Sequence, residues 1–423
     1  MKKTLGKTAI VFTILFAIIQ IGLLICFFQS PQHSDQVHHV ILANQAYNAG
    51  VWYPSVMNLY DSFIVAPGLI NFLTIQLHLF GTVDYNGFFQ FIMNMIMLYE
   101  VFFIGKKLFS LTTGYISAIL YCLLYSNYMG ILVWGTEIPF LFFALSGVCL
   151  CLTGKWYNIL LGGLLFSVSN TIRPLVLLFV ILVVVYFFIK KVKWSNYILL
   201  LVPFFILNFG YGKMNEHRIG YFVNQSTTGG TNLIQTAHDR ADGTTAKGYC
   251  IVGDKDSPYA YKNNKDKTVF EKDEMWKNAG IEWIKHNPGK YFMMFFKKIP
   301  YMYADDAWPE RLVFDTGFQK SMGKDISTSE KIKIMIGIVL KNIIYYAILC
   351  LFAYSLYLNR KSILSIKGVL LLFLLIGTGA TVLFPVMPRY HYPFLFVIII
   401  WAAYGIESII NKKLNNQRNH ELA

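Results

Sequence analysis

The apolar run AIVFTILFAIIQIGLLICFF, residues 9–28, is followed closely by the polar stretch QHSDQVHH, residues 32–39. The apolar run has the length of about 20 residues that a helix needs to cross a bilayer. Asp35, in the polar stretch, is the only acid before Asp61. The sequence therefore predicts a membrane helix that ends beside an ionisable group at the membrane surface.

The composition of the whole chain is that of a membrane protein. The 423 residues are 55% hydrophobic and 14% charged, whereas soluble proteins carry about 25% charged residues. The apolar runs lack the alternation of barrel strands, so we predict an all-α polytopic membrane protein with about ten transmembrane helices. The predicted spans are 9–28, 88–104, 113–128, 138–152, 156–169, 175–189, 197–211, 334–356, 369–383 and 392–409.

The net charge of +14 is concentrated in short loops between the apolar runs. Segment 29–87, in contrast, contains neither Lys nor Arg. The positive-inside rule then predicts that both termini are cytoplasmic and that segment 29–87 lies outside. The Lys-rich composition is compatible with a plasma membrane, which we take as the expected location. Because basic and aromatic residues are not interleaved, the charge does not indicate a nucleic-acid partner.

Three regions follow from the distribution of polar residues. Residues 1–211 are predicted to form an N-terminal transmembrane module, whose first outer loop (29–87) contains interfacial helices. Residues 212–331 form a larger extracytoplasmic segment of mixed structure, and residues 332–423 form a C-terminal transmembrane module with a short cytoplasmic tail.

Amphipathic spacing within 37–44 and 271–303 predicts helices lying against the membrane. The short apolar run 66–80 is predicted to be re-entrant or interfacial. Cys250 is the one cysteine in a polar segment, so no disulfide framework is implied.

Ionisable residues gather at the predicted outer face. They are Asp35 and Asp61 after the first span, Glu137 at the start of the fourth, Arg173 between the fifth and sixth, and Arg389 before the last. Charges at membrane depth are costly and usually serve a function. Acids with arginines on one leaflet indicate a base plus an anion clamp, as needed to transfer a sugar from a lipid phosphate.

Plainer roles remain open for each of these residues. Asp35 could be the N-cap of an interfacial helix, and Glu137 could be an ordinary acid at the membrane interface. Arg173 and Arg389 could extend to lipid headgroups.

Three further features receive structural interpretations. His38 and His39 are predicted to be solvated loop histidines, since adjacent side chains on a helix diverge. The pair Asp305-Asp306 is predicted to form a polar turn. Lys297 and Lys298 could lie at the lipid surface, where basic residues are favoured.

The order of motifs along nearly the whole chain resembles that of the GT-C glycosyltransferases. The branch in question includes bacterial protein mannosyltransferase-like (glycosyltransferase family 39-like) and aminoarabinose transferase-like enzymes. The matching motifs are Ser34-Asp35-Gln36, Tyr60-Asp61, Ala66-Pro67-Gly68, Thr136-Glu137-Ile138-Pro139, Ile172-Arg173-Pro174, Thr228-Gly229-Gly230-Thr231-Asn232-Leu233, residues 283–291 and Pro388-Arg389-Tyr390-His391-Tyr392-Pro393.

This resemblance implies an inverting transferase with Asp35 as the base and Glu137 as its acidic partner. The implied partners are a polyprenyl-phosphate sugar donor, membrane lipids, and a glycan, lipid or protein acceptor. The candidate substrate-binding residues are Tyr60, Asp61, Arg173, Lys298, Arg389, Tyr390 and His391.

The chain departs from the family pattern at two places. Gln36 stands where a second acid often follows the first, and Val65-Ala66-Pro67 stands where some relatives have Lys-Pro-Pro. We therefore expect that no cofactor is required, and the sequence does not support a divalent cation. The candidates for phosphate binding are Arg389, Arg173 and Lys297 or Lys298. The rival hypotheses are a transporter or flippase of lipid-linked saccharides, against which the lack of an internal repeat weighs, and a non-enzymatic scaffold.

Overall fold

The computed structural model describes residues 2–28, 32, 35–244, 251–314 and 328–421. Cys250, His33 and Ser34 lie outside these residues. The described chain is all-α and contains no β-strand. Its helices are α1 (Lys2–Cys26), α2 (Asp35–Asn48), α3 (Pro67–Phe80), α4 (Asn86–Leu108), α5 (Leu111–Leu123), α6 (Tyr125–Met129), α7 (Glu137–Leu152), α8 (Trp156–Ile172), α9 (Val176–Ile189), α10 (Trp194–Ile219), α11 (Gly229–Thr236), α12 (Val269–His286), α13 (Pro288–Met293), α14 (Phe295–Met302), α15 (Trp308–Phe314), α16 (Thr328–Leu358), α17 (Gly368–Val382) and α18 (Leu395–Glu421).

Among the described residues, five helices are long and apolar enough to cross a membrane. They are Lys2–Cys26, Asn86–Leu108, Trp194–Ile219, Ile336–Leu358 and Pro388–Gln417. A bent pair of helices would make a sixth, and α3, α7, α9 and α17 are shorter apolar helices. The chain is thus an all-α protein with several candidate membrane spans, whereas the number of ten stays a prediction.

The span predicted at 113–128 is wrong as one continuous helix, because the chain bends by 67° between α5 and α6. Leu124 has an extended backbone at the bend. The bend leaves backbone groups without helical partners, and side chains bond them instead. The Asn127 side chain donates to the Tyr121 carbonyl at 2.8 Å, and the Ser126 backbone amide donates to the Asp306 side chain at 3.1 Å. Such internal partners are what permit a broken helix at membrane depth.

Local sequence determines the helix ends that carry the charged residues. α8 ends before Arg173 because Pro174 follows, and a residue before proline favours the extended backbone that Arg173 adopts (φ −145°, ψ 130°). Asp35 and Glu137 are the first residues of α2 and α7, where the positive end of the helix dipole stabilises an acid.

The last helix lies at the centre of the core. Residues 391–403 are all buried, and α18 packs against α5 and α16. A 3-10 turn, Pro388–Phe394, precedes α18. The span predicted at 392–409 therefore begins as this turn and becomes α-helical only at Leu395, because Pro388 and Pro393 remove backbone donors.

The described part of the polar segment 212–331 contains helices joined by stretches without regular structure, such as 221–228 and 251–260. α11 packs against α12, beside a small core of Ile234, Ile251, Val252 and Trp276. The amphipathic pattern at 271–303 covers three helices, since Pro288 starts a new one after the non-helical Asn287. The turn at Asp305 and Asp306 is buried, with 4% and 0% exposure, because it bonds to Asn342 and Ser126.

The loop between α2 and α3 is bonded to this polar segment. The carbonyl of Leu59 accepts from the Val269 amide at 2.7 Å. The Nζ of Lys272 donates to the carbonyls of Tyr60 and Asp61, each at 3.0 Å. Lys272 is buried, and that burial lowers its pKa. These bonds fix the loop that follows α2.

Candidate functional site

Four charged side chains that are distant in sequence meet in one network. Arg173 Nη2 lies 2.5 Å from Glu137 Oε1, and Arg389 Nε lies 3.7 Å from the same oxygen. Arg389 Nη2 also forms an ion pair with Asp35 Oδ2. We call Asp35, Glu137, Arg173 and Arg389 the charge network. The structure therefore brings together the two acids and two arginines singled out in the sequence.

Exposure differs along the charge network. The side chain of Glu137 is 3% exposed, that of Arg389 10%, that of Arg173 20% and that of Asp35 53%. A carboxylate buried as deeply as Glu137 is stabilised only by close cations, which the two arginines provide. Asp35 is the acid of the network that an incoming ligand reaches from solvent.

Arg389 controls the protonation of Asp35. Its guanidinium is the largest cause of the lowered pKa of the Asp35 carboxyl, which opposes the effect of burial. Asp35 is thus ionised at neutral pH, with its Oδ2 atom engaged by a cation. A carboxylate held in this way is a poor base until the cation moves.

Several buried polar atoms beside the charge network have no hydrogen-bond partner among the described residues. They are both amide atoms of Gln36, Nδ1 of His39, Oε2 of Glu137 and Nε of Arg389. The prediction that His39 is a solvated loop residue is wrong: it lies on the buried face of α2 and is 4% exposed. Burial lowers the pKa of His39 to about 4, so its imidazole is neutral at pH 7.

Sequence reasoning missed Gln36 and His39 as residues of the site. Their spacing of three places them on one face of a helix. A signal was present, because Gln36, His39, Ala43 and Ala46 recur at helical spacing with small or polar side chains. The apolar residues Val37 and Ile41 of the predicted amphipathic pattern are instead exposed, at 39% and 47%.

Tyr60 and Asp61 lie outside the charge network. The Tyr60 side chain is exposed, while Asp61 Oδ2 accepts from the Asn58 amide at 2.9 Å. Their carbonyls, as described above, bind Lys272. The observed contacts of these two residues are those of a loop anchored to α12.

The other three candidates surround the turn that carries Arg389. The Tyr390 ring lies beside the Arg389 guanidinium, 5.8 Å from its carbon. His391 is fully buried, with Nε2 at 3.4 Å from Asp306 Oδ1. Lys298 is also fully buried and donates to the Val382 carbonyl at 2.9 Å, and burial lowers its pKa to about 8. The described contacts of His391 and Lys298 do not join them to the charge network.

The side chains of the site determine whether it suits a metal ion or an anion. The described residues contain no group of three or more His, Cys, Asp or Glu placed to hold a metal ion. Asp35 and Glu137 both face arginines, so two guanidinium groups surround the carboxylates where a divalent cation would need more oxygen ligands. This set of side chains fits an anion better than a divalent cation.

No protein-family model and no curated protein sequence matches the chain. Its fold, however, is similar to that of solved structures of oligosaccharyltransferase from Archaeoglobus fulgidus. The apo form has a TM-score of 0.52 and 12% identity, covering 98% of this chain and 52% of that protein. The complex with an inhibitory peptide and a dolichol-phosphate has a TM-score of 0.51 and 12% identity, covering 98% and 51%.

A third structure of the same enzyme, tethered to an acceptor peptide, has a TM-score of 0.50 and 10% identity, covering 96% of this chain and 50% of that one. The chain spans about half the length of the proteins it matches. At such low identity the likeness establishes the fold alone. Over nearly its whole length, the chain described here therefore has the fold of about half of the archaeal oligosaccharyltransferase.

Proposed function

We propose that the chain is an integral membrane glycosyltransferase. It transfers a sugar from a polyprenyl-phosphate donor to a hydroxyl of a glycan, lipid or protein, at the outer face of the plasma membrane. The observation that carries the proposal is the charge network, which joins a solvent-facing acid to two arginines in a chain whose fold is similar to that of an oligosaccharyltransferase. A structure of similar fold contains a dolichol-phosphate.

The chemistry assigns one role to each end of the network. Asp35 accepts the proton of the acceptor hydroxyl as its oxygen attacks C1 of the sugar. The bond from C1 to the phosphate oxygen breaks, and its electrons leave with the polyprenyl phosphate, whose charge Arg389 stabilises. Attack from the side opposite the phosphate inverts the configuration at C1. Glu137 holds both arginines in place.

Donor binding also frees the base. Arg389 is paired with Asp35, and the two cannot act while they neutralise each other. The phosphodiester of the donor carries one negative charge, as Asp35 does, and its two free oxygens offer a guanidinium a bidentate partner. We therefore infer that the donor phosphate takes Arg389 from Asp35, which raises the pKa of Asp35 and exposes its oxygen to the acceptor.

Apolar helices near Arg389 offer a surface for the lipid tail of the donor. α9 and α17 pack side by side with only a small apolar crevice between them, and α17 leads into the turn that carries Arg389. We infer that the tail lies along the apolar surface of these helices while the phosphate binds Arg389. The residues that line the crevice are Leu178, Ile181, Leu182, Val185, Val369, Leu372, Phe373 and Ile376.

The test is transfer of labelled sugar from synthetic polyprenyl-phosphate donors in reconstituted vesicles, with cell-envelope extract as acceptor. Asp35→Asn should lower the transfer rate by about 10²- to 10⁴-fold, the usual contribution of a general base. Asp84→Asn, an acid in another loop of the same region, should leave it unchanged. Full transfer by folded Asp35→Asn protein would refute the assignment of the base.

One observation favours a transporter or flippase of lipid-linked saccharides, namely the broken helix formed by α5 and α6, since broken helices line the sites of many transporters. Here, though, side chains of the chain itself bond the break. The same vesicles separate the two functions, because a flippase would move the labelled donor across the membrane without cleaving its C1–phosphate bond.

A further inference from the structure

The buried side chains of Gln36, His39 and Glu137 carry unused hydrogen-bonding atoms next to the charge network. We propose that these three side chains form a subsite that binds the hydroxyl groups of the donor's sugar ring. The inference rests on the proposed function and extends it, since it identifies the residues that recognise the sugar rather than the phosphate.

The first observation is the concentration of unpaired atoms in one place. Gln36 is 0% exposed, Glu137 2% and His39 4%. Gln36 Oε1 and Nε2, His39 Nδ1 and Glu137 Oε2 have no hydrogen-bond partner among the described residues. Buried polar atoms are nearly always bonded, because leaving one unpaired costs stability. A cluster of unpaired atoms therefore calls for a partner from outside the chain.

The second observation is that these groups lie close together. Gln36 and His39 are three residues apart on the buried face of α2. A Cβ atom placed on Gly135 would lie 2.6 Å from Glu137 Oε2 and 3.6 Å from Gln36 Nε2. The carboxylate and the amide therefore both lie beside Gly135, within reach of one ligand group.

Gln32, shortly before α2, is bonded to the segment that leads to Glu137. Its side-chain amide accepts from the Trp134 backbone at 3.0 Å and donates to the Leu132 carbonyl at 3.2 Å. These bonds help to hold the segment before Glu137 near the start of α2, and a site that is ordered in advance binds its ligand at a lower entropic cost.

The chemistry of the three groups selects a neutral, hydroxyl-bearing ligand. An amide donates and accepts, a carboxylate oxygen accepts, and a neutral imidazole does either. The charged and titratable groups around His39 are Asp35, Glu137, His38 and Arg389, and burial keeps its ring neutral at pH 7. A phosphate would meet two acceptor oxygens here, whereas a sugar hydroxyl can donate to one and accept from another.

The location also suits the reaction. The subsite shares Glu137 with the charge network, and His39 lies one helical turn after Asp35. A sugar ring bound there, with its phosphate at Arg389, would place C1 close to the base. Gln36 thereby acquires a role at the position where related sequences often have a second acid.

The experiment measures donor binding to the full chain in lipid nanodiscs. The probes are undecaprenyl phosphate and a panel of its hexose and pentose esters. We expect Gln36→Met, which keeps the length of the side chain, to weaken binding of the preferred ester about tenfold, equivalent to about 1.4 kcal/mol. Binding of undecaprenyl phosphate itself should not change. Gln45→Met, on the exposed face of the same helix, should alter neither.

A second variant guards against a folding defect. Gly135→Ala would push the flexible Glu137 carboxylate from its position. It should weaken binding of the ester more than binding of undecaprenyl phosphate, which loses only the support that Glu137 gives to Arg389. Thermal unfolding of ligand-free Gln36→Met should occur at no lower temperature than that of the unchanged chain, since the variant removes unpaired polar atoms.

The outcomes distinguish the subsite from the proposed function. If the unchanged chain binds neither lipid phosphate nor esters, the glycosyltransferase proposal fails and this inference fails with it. If the chain binds them but Gln36→Met and Gly135→Ala retain the full preference for an ester, the subsite is refuted and its unpaired atoms bond only to buried water.

Discussion

Arg389 is shared by two acids of opposite character, one buried and one exposed. Glu137 is buried and is paired with Arg173 as well, whereas Asp35 is half exposed and faces solvent. The ion pair with Asp35 is therefore the part of the charge network that a ligand can open. This difference in exposure, rather than the presence of charges alone, distinguishes the proposed base from its acidic partner.

The pH dependence of catalysis should reveal the opening of this pair. The acid limb of kcat/KM reports the free enzyme, and that of kcat reports the substrate complex. In the free enzyme Arg389 holds the pKa of Asp35 below its ordinary value, so kcat/KM should fall only below about pH 4. After the phosphate has taken Arg389, the pKa of Asp35 rises, and kcat should fall at a higher pH. Acid limbs at the same pH in both profiles would mean that Arg389 stays with Asp35.

The buried arm of the charge network can be tested through stability. Arg173→Met removes the cation closest to Glu137 and leaves a buried carboxylate with Arg389 at 3.7 Å. Losing one partner of a buried pair costs about 3 kcal/mol or more, which chemical unfolding in detergent would measure. The double variant Arg173→Met with Glu137→Gln should recover part of that loss. Equal stability of Arg173→Met and the unchanged chain would show that the pair contributes nothing.

The sequence could identify the charge network because each of its members is a charge beside an apolar run. Gln36 and His39 carry no charge, and the only signal for them is the helical spacing that they share with Ala43 and Ala46. The contacts of Lys298 to Val382 and of His391 to Asp306 depend on packing between distant segments. Tertiary contacts of this kind have no local pattern.

At the scale of elements, the contact between α11 and α12 holds the segment that anchors the first loop. Gly230 lies against the backbone of α12, and its amide donates to Asp273 Oδ1 at 2.6 Å. Residues just before α11 bond the same loop, since the Thr227 amide donates to the Ile64 carbonyl at 2.8 Å. Close packing at Gly230 thus links the stability of α12 to the position of the loop.

Two adjacent glycines provide a matched test of this packing. A Cβ atom on Gly230 would lie 1.9 Å from the Asp273 carbonyl oxygen, whereas a Cβ atom on Gly229 would meet nothing within 4 Å. Gly230→Ala should therefore lower stability by about 1–3 kcal/mol, the usual cost of overpacking. Gly229→Ala should be neutral or slightly stabilising, because alanine favours helix. Thermal unfolding that does not separate the two variants would contradict the predicted contact.

Helices were easier to predict than their interruptions. Hydropathy located an apolar run at 113–128 but not the bend at Leu124, because leucine is as apolar as its neighbours and the bend is stabilised by Asp306 and Asn127. The same applies to Asp305 and Asp306, whose polarity predicted a turn but not its burial. Both features arise where one segment supplies the hydrogen bonds that another has lost.

At the scale of the whole molecule, the all-α architecture follows from composition, since long apolar runs leave a chain in lipid no other common way to bond its backbone. The number of spans does not follow as directly. α7, α9 and α17 are shorter than the five long candidates, so length alone does not decide whether each crosses the membrane. The charge of the loops supplies an independent criterion for whether a helix crosses the membrane.

That criterion predicts which side of the membrane each loop occupies. Lys361 lies in a basic turn after α16, and Lys262 lies in the polar segment; both are exposed. Basic loops are retained in the cytoplasm, so a membrane-impermeant maleimide should label Lys262→Cys in intact cells but Lys361→Cys only after permeabilisation. The labelling uses a Cys250→Ser background, because Cys250 lies in the same polar segment as Lys262. The Cys250→Ser chain without a further substitution is the control, since the described cysteines lie in α1, α5, α7 and α16. Labelling of Lys361→Cys alone in intact cells would place the charge network on the cytoplasmic side.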